Sequence, residues 1–226
     1  MRITIAIDGP ASSGKGTVAR FVAARLGYGY IDTGALYRGV GLHLLRAGQN
    51  PRDPEVATPV AREHTFRFQW REGSLGVWVN GVDESAAIRG EDVGRAASAV
   101  AVHPGVRAAL LQTQRDLGAE GGVVMDGRDI GTVVLPDAHL KVYLDASLEE
   151  RARRRHAEAP GVALDEVRRQ LSARDQQDSG RETAPLRVGD DAEYVDTTGR
   201  GVEEVVQQVL ALAKERGGVS QKLLDF

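Results

Sequence analysis

A chain of 226 residues, 42% hydrophobic and 27% charged, has the length and balance of one α/β domain with room for a small insert and a substantial core. The lack of any cysteine excludes disulfides and thiolate metal sites, and a net charge of −3 argues against a general nucleic-acid binder. No apolar run approaches the roughly 18 residues of a membrane span, and a strand entered by residue 3 leaves no room for a signal peptide, so a cytoplasmic protein is expected.

The first predicted strand is Ile3–Asp8, and it runs directly into GPASSGKGT, Gly9 to Thr17. This fits G-x-x-x-x-G-K between a strand and a helix. Such a loop turns backbone N–H groups inward around anionic oxygens, and the helix behind it adds its positive end. Lys15 supplies a mobile point charge for β/γ-phosphates, so a nucleoside triphosphate is the expected ligand. The hydroxyl that usually follows the lysine is displaced by Gly16 to Thr17. This GKGT form resembles nucleoside-monophosphate kinases more than GTPases or motors. The loop residues Gly9, Pro10, Ala11, Ser12, Ser13, Gly14, Lys15, Gly16 and Thr17 are the candidate ATP site.

The next helix is expected over Gly14–Leu26 and a strand over Tyr28–Asp32. Asp32-Thr33-Gly34-Ala35-Leu36-Tyr37-Arg38 then opens a helix over Gly34–Ala47, with Thr33 as its expected N-cap. Arg38, one turn inside, suits either an acceptor phosphate or plain solvent. Thr65–Trp70 and Leu75–Val79 alternate apolar and polar residues around Glu72-Gly73-Ser74, and Asn80-Gly81 is a strong hairpin signal. Residues 62–90 are therefore expected to form a small antiparallel insert. Helices follow over Glu91–Val102 and Pro104–Leu117, then a strand over Val123–Asp126.

That third strand leads into Asp126-Gly127-Arg128-Asp129-Ile130-Gly131-Thr132. Two glycines frame adjacent opposite charges where a parallel strand would end, the place where doubly wound folds bind ligands. Arg128 is placed to clamp a phosphate and Asp129 to accept from an amine or a ribose hydroxyl. Asp126, with Thr17, is the candidate position for Mg²⁺ carried by ATP, directly or through water. A surface turn with a local ion pair is the competing reading.

A strand over Leu140–Asp145 precedes Ser147-Leu148-Glu149-Glu150, a capping box for a helix over Leu148–Ala157. On it Arg151 and Arg155 share a face one turn apart and are candidates for the donor nucleotide, while Arg153 and Arg154 are expected in solvent. A helix over Ala163–Asp178 carries Arg174 and Asp178 at i,i+4, with Arg181 just beyond. Cations there suit a mobile lid; a salt-bridged exposed helix is the alternative. Gly180–Asp191 reads as loop, Glu193–Thr197 as the fifth strand, Val202–Arg216 as the last helix, and Ser220–Phe226 as an unsupported, mobile tail.

The five strands between helical stretches point to a buried parallel sheet. Arginine outnumbers lysine 25 to 4, which fits an arginine-rich phosphate site, although genomic base composition or growth temperature accounts better for most surface arginines. An Asn-Lys-x-Asp guanine reader is missing: Asn50 and Asn80 are not followed by lysine, which removes the usual GTPase reading. Other small kinases remain as alternatives, acting on AMP, UMP or a metabolite hydroxyl.

Taken together, IDGPASSGKGT, DTGALYR, DGRDIGT and RDQQDSGR resemble the bacterial cytidylate kinases in order and spacing, over roughly residues 2–216. The resemblance implies a P-loop fold: a five-stranded parallel sheet with helices on both faces, a small antiparallel insert and a helical lid. It implies a core of about 1–61, 91–156 and 190–216, a monophosphate-binding insert of about 62–90 and a lid of about 157–189. It also implies transfer from ATP, with Mg²⁺, to CMP or dCMP. Carried over by position, Thr33, Ser98, Arg107 and Asp129 would read cytosine or its surroundings. Arg38, Arg128 and Arg181 would hold the acceptor phosphate, Arg174 and Asp178 the sugar, and Tyr37 counts with the same site. Lys15, Arg128, Arg174 and Arg181 would be the catalytic cations. Thr33 stands where serine is frequent, and Ser179-Gly180 precede the lid arginine. Small-molecule nucleotides are the expected partners, with no membrane or nucleic acid, and the chain is expected to be a monomer.

Overall fold

A computed structural model describes residues 2–71, 74–158 and 160–217. The expected tail at Ser220–Phe226 and the turn residues Glu72 and Gly73 lie outside them. The chain divides into two units, one of residues 1–30 with 121–226, the other of residues 31–120.

A five-stranded sheet has the order β2-β6-β1-β7-β8. Its members are β1 (Thr4–Asp8), β2 (Gly29–Asp32), β6 (Val123–Gly127), β7 (Leu140–Asp145) and β8 (Glu193–Asp196). The pairs β1–β6, β1–β7 and β7–β8 are parallel. β1 is central and buried on both faces: the consecutive residues Ile5, Ala6 and Ile7, which alternate between the faces, are all fully buried. Successive elements go to opposite sides of β1, so its carboxyl end lies at the switch point where such sheets take ligands. Helix α1 (Lys15–Leu26) packs on β6 and on the last helix, α8 (Val202–Glu215), while α6 (Leu148–Glu158) packs on α7 (Leu164–Ser179). Residues 130–134 form one π-helical turn, closed by the Leu135 N–H donating to the Ile130 carbonyl at 2.7 Å.

In the unit of residues 31–120, α2 (Gly34–Arg46) packs on α4 (Glu91–Val100), and α3 (Pro54–Glu63) on α5 (Pro104–Gly118). Leu36, Val40, Leu44, Ala57, Val100 and Leu110 form its core. The insert is antiparallel as expected: β3 (Phe66–Arg71), β4 (Ser74–Val79) and β5 (Val82–Asp83). Asn80 (φ 49°) and Gly81 (φ 81°) both take the left-handed conformation that a two-residue hairpin needs.

One local expectation is corrected, and one helix is found where none was expected. Thr33 has helical backbone itself (φ −65°, ψ −24°) and does not cap α2. The stretch 54–63 is a helix, with Asp53 accepting from the Glu55 N–H at 2.9 Å and Pro54 in the first turn. The expected cap at Ser147 is present, its hydroxyl accepting from the Glu150 N–H at 3.2 Å.

Candidate functional site

The phosphate loop begins where β1 ends. A Cβ on Gly9 would lie 2.0 Å from the Leu144 carbonyl oxygen, so only glycine lets the loop pass β7 this closely. Ser12 (φ 61°) and Gly14 (φ 89°) are left-handed on either side of Ser13, an alternation that turns successive N–H groups toward one side. Ser13 is fully buried and its hydroxyl has no protein partner. A buried hydroxyl left in this state marks a place built for a further polar atom. The Lys15 ammonium crosses back to the Pro10 carbonyl at 3.1 Å. The first turn of α1 carries no acidic residue of its own, so backbone and dipole together favour an anion at the loop.

Behind Gly16 stands the Asp126 carboxylate, which accepts from the Tyr30 hydroxyl at 3.1 Å. A Cβ on Gly16 would approach that hydroxyl to 3.3 Å and the carboxylate to 3.5 Å. Among the described residues no cluster of three or more acidic or histidine side chains could form a closed metal cage. One carboxylate beside a phosphate loop instead fits Mg²⁺, which keeps its waters and is bound mainly by phosphate oxygens.

A second charged group gathers around Asp178, at the end of α7. The Arg128 Nε donates to its carboxylate at 2.8 Å. The Arg181 Nε donates to its backbone carbonyl at 3.0 Å, with the guanidinium 3.8 Å from the carboxylate. Burial pushes the Asp178 carboxyl up, but Arg128, Arg181 and Arg174 outweigh it and hold it below the usual carboxylate range. The structure thus brings together Arg128, Arg174, Asp178 and Arg181, three of them from RDQQDSGR and one from DGRDIGT. Asp129, the neighbour of Arg128, is buried at the entrance to the π-helical turn.

The arginines of α6 are placed differently from one another. Arg151 is buried, bonded to the Ala146 carbonyl (2.9 Å), the Ala11 carbonyl (3.3 Å) and the Asp175 carboxylate (2.7 Å). Arg155 pairs with Glu158 on the surface at 3.2 Å. Arg154, expected in solvent, instead reaches the phosphate loop. It donates to the Ser13 carbonyl (3.3 Å), the Thr197 hydroxyl (3.0 Å) and the Thr197 carbonyl (2.7 Å). Three and four residues from Arg151 are both neighbours on a helix face. Periodicity alone could not choose between Arg154 and Arg155; the approach of the loop and β8 did. Ala11 itself packs with Ala152, Val167 and Leu171, so the loop is anchored on the α6–α7 pair by apolar contact too.

The unit of residues 31–120 holds the remaining candidates. The Arg38 guanidinium pairs with Asp32 at 2.6 Å, in a space that exists because a Cβ on Gly34 would meet both groups. Thr33 and Tyr37 are buried. The Arg107 guanidinium, also buried, lies 5.5 Å over the Tyr37 ring and donates to the Ala101 carbonyl at 3.3 Å. Ser98 is half-buried on α4, the helix that packs most closely on α2. Arg107 carries no local sign in the sequence, because its helix position looks like any other.

Compared with known proteins, residues 5–215 match the family model described as Cytidylate kinase. The cytidylate kinase of Geobacillus kaustophilus is 48% identical over 96% of this chain and 99% of its own length. That of Streptococcus pneumoniae (strain 70585) is 45% identical over 95% of this chain and 98% of its own. Among solved structures, a gluconokinase from Sinorhizobium meliloti covers 96% of both chains at a TM-score of 0.50 and 14% identity, a likeness of fold alone. With a phosphate loop, a gathered arginine cluster and near-full-length relatives of one name, the chain is a member of the cytidylate kinase family and a P-loop kinase.

Proposed function

We propose that the protein transfers the γ-phosphoryl group of ATP to CMP or dCMP, giving ADP and CDP or dCDP. The observation that carries this reading is the convergence of Arg128, Arg174 and Arg181 on Asp178 within a chain whose phosphate loop ends GKGT. Loop 9–17 and Lys15 take the ATP phosphates. Arg38, Arg128 and Arg181 take the acceptor phosphate, Arg174 with Asp178 the sugar, and Thr33, Tyr37, Ser98, Arg107 and Asp129 the base and its surroundings.

The acceptor oxygen is already ionised, so the reaction needs no general base. The barrier lies in bringing two polyanions into line and stabilising charge on the transferring group. Arginines held by Asp178 are preorganised to lower that barrier. Their positions are fixed before substrate arrives, so little reorganisation remains at the moment of transfer. Asp178 is the counter-charge that offsets part of the mutual repulsion among the three cations. Mg²⁺, with Asp126 and Thr17 as its protein neighbours, supplies charge neutralisation on the ATP phosphates when bound. The nucleotides are small-molecule partners, and we take the working form to be a monomer in the cytoplasm. No helix among the described residues is long and apolar enough to cross a membrane.

The test is a coupled assay of ADP release with ATP, Mg²⁺ and each monophosphate in turn. Strong acceleration by CMP and dCMP, with UMP and AMP weaker, is expected. Equal rates with and without any monophosphate would overturn the reading, and acceleration by a sugar or shikimate alone would move the protein to a hydroxyl-phosphorylating class.

A further inference from the structure

Asp8 ends β1 immediately before the phosphate loop, yet its side chain does not serve that loop. Its two carboxylate oxygens accept separately from consecutive amides, Oδ1 from the Ile130 N–H and Oδ2 from the Gly131 N–H, both at 2.8 Å. The residue is 5% exposed. The two amides open the π-helical turn that follows Arg128 and Asp129 directly. Asp8 pairs in register with Gly127, whereas Asp126 pairs with Ile7, so the two aspartates point to opposite faces of the sheet. Asp126 faces Tyr30 and Gly16; Asp8 faces the loop that carries the phosphate-clamping arginine.

We propose that Asp8 is a positioning residue for phosphoryl transfer, its carboxylate holding the Ile130 and Gly131 amides and thereby fixing the 127–131 loop that presents Arg128 and Asp129 to the monophosphate. This rests on the proposed function above. The two-amide grip is strongest in the ionised form, whose oxygens both accept with full negative charge. A protonated carboxyl carries a hydrogen on one oxygen, which then accepts only weakly, so one of the two buried N–H groups is left with a poor acceptor.

The surroundings make that ionisation costly. Burial raises the Asp8 carboxyl to about 6; the Gly131 and Ile130 amides work against this, Asp129 adds to it, and Arg128 subtracts from it. A narrow pocket lined by Thr132, Lys141, Tyr143 and Arg187 also reaches Asp8. Lys141 is engaged by Asp191 at 2.7 Å, and Tyr143 is held neutral, raised to about 12 by burial and by Asp145. Because the folded-state value lies above the ordinary 3.8, the folded protein binds this proton more readily than the unfolded chain does. Asp8 therefore adds stability as pH falls from about 6 to 4, over the same interval in which the grip on the loop is weakened. Activity and stability should move in opposite directions with this one group.

The experiment measures kcat, the KM for CMP and the KM for ATP from pH 5 to 8 in the wild-type enzyme and in Asp8→Asn. Each substrate's own phosphate titration is common to both proteins and cancels in their ratio. At pH 8 the variant should show a KM for CMP about tenfold higher, with the KM for ATP changed less than about twofold. At pH 5 the two proteins should converge to within about twofold in KM for CMP. Equal KM values for CMP at pH 8, or a ratio that stays constant across the range, overturns the proposal. Should Asp8→Asn fail to fold, the wild-type amide resonances of Ile130 and Gly131 decide it. They should titrate together with one midpoint between pH 5 and 7, and an absence of titration there overturns it equally. A wild-type enzyme inert toward CMP would instead be a failure of the proposed function, visible before any variant is made.

Discussion

Two regions of the same unit, both proposed to hold phosphate, are built by opposite means. The loop at 9–17 is made of backbone: left-handed residues at 12 and 14, a glycine at 9 that admits no side chain, and a helix end. The cluster around Asp178 is made of side chains brought from residues 128, 174, 178 and 181. A backbone site has to be contiguous in sequence, since neighbouring amides must converge. A side-chain site can be scattered, since its geometry is set by packing. The first needs little counter-charge because peptide dipoles are partial charges. The second places full cations together and needs a buried carboxylate to hold them.

Removing the one full charge in the backbone-built region should have the largest effect. Lys15→Ala is expected to lower kcat on the order of 1,000-fold with its thermal transition nearly unchanged, because amides still bind ATP while the mobile cation is gone. Retention of a tenth of the wild-type turnover would mean that backbone alone suffices. In the side-chain cluster, Arg128→Ala should lower kcat/KM for CMP on the order of 100-fold while leaving ATP binding close to wild type. A loss shared equally between the two substrates would merge the two regions into one.

A smaller effect tests the tie between loop and scaffold. Arg154→Ala removes three bonds to Ser13 and Thr197 and should cost about 1–2 kcal/mol in denaturant unfolding. Arg155→Ala, on the same helix, should stay within about 0.5 kcal/mol. Equal costs would put the loop's support elsewhere. The smallest expected signal is in acid. Asp178 sits below its ordinary value, so its contribution is present at neutral pH and lost as pH falls through the folded-state value. The stability difference between wild type and Asp178→Asn should shrink from pH 5 toward pH 2; a difference constant with pH would remove the electrostatic role of Asp178.

The contrast also explains what is legible in the sequence. The phosphate loop, the sheet and the Asn80-Gly81 hairpin depend on neighbours in sequence, and local rules find them. Asp53-Pro54 is an equally local signal for α3, an N-cap followed by a proline in the first turn, and is easily passed over. Thr33 fails as a cap because its own backbone joins the helix, which residue type does not reveal. Arg154 and Arg155 are indistinguishable until the helix meets the loop. Asp8 shows only as a strand-ending aspartate; that it turns toward residues 130 and 131 follows from strand register, which no local pattern encodes.

β8 has a consequence for behaviour at high concentration. It lies at a border of the five-stranded sheet, is four residues long, and carries Glu193 and Asp196 at its two ends. Glu193 is engaged by Arg216 and Asp196 by the Thr198 amide, so both termini of the border are occupied. Its exposed Tyr194 ring is not left bare either, lying stacked at 5.9 Å on Tyr143 with its hydroxyl donated to Asp145. A short, acid-tipped and self-covered border gives an incoming strand from another molecule few amides to template on and a charge to overcome. The same charged ends thus make this border a poor template for edge-to-edge pairing between molecules.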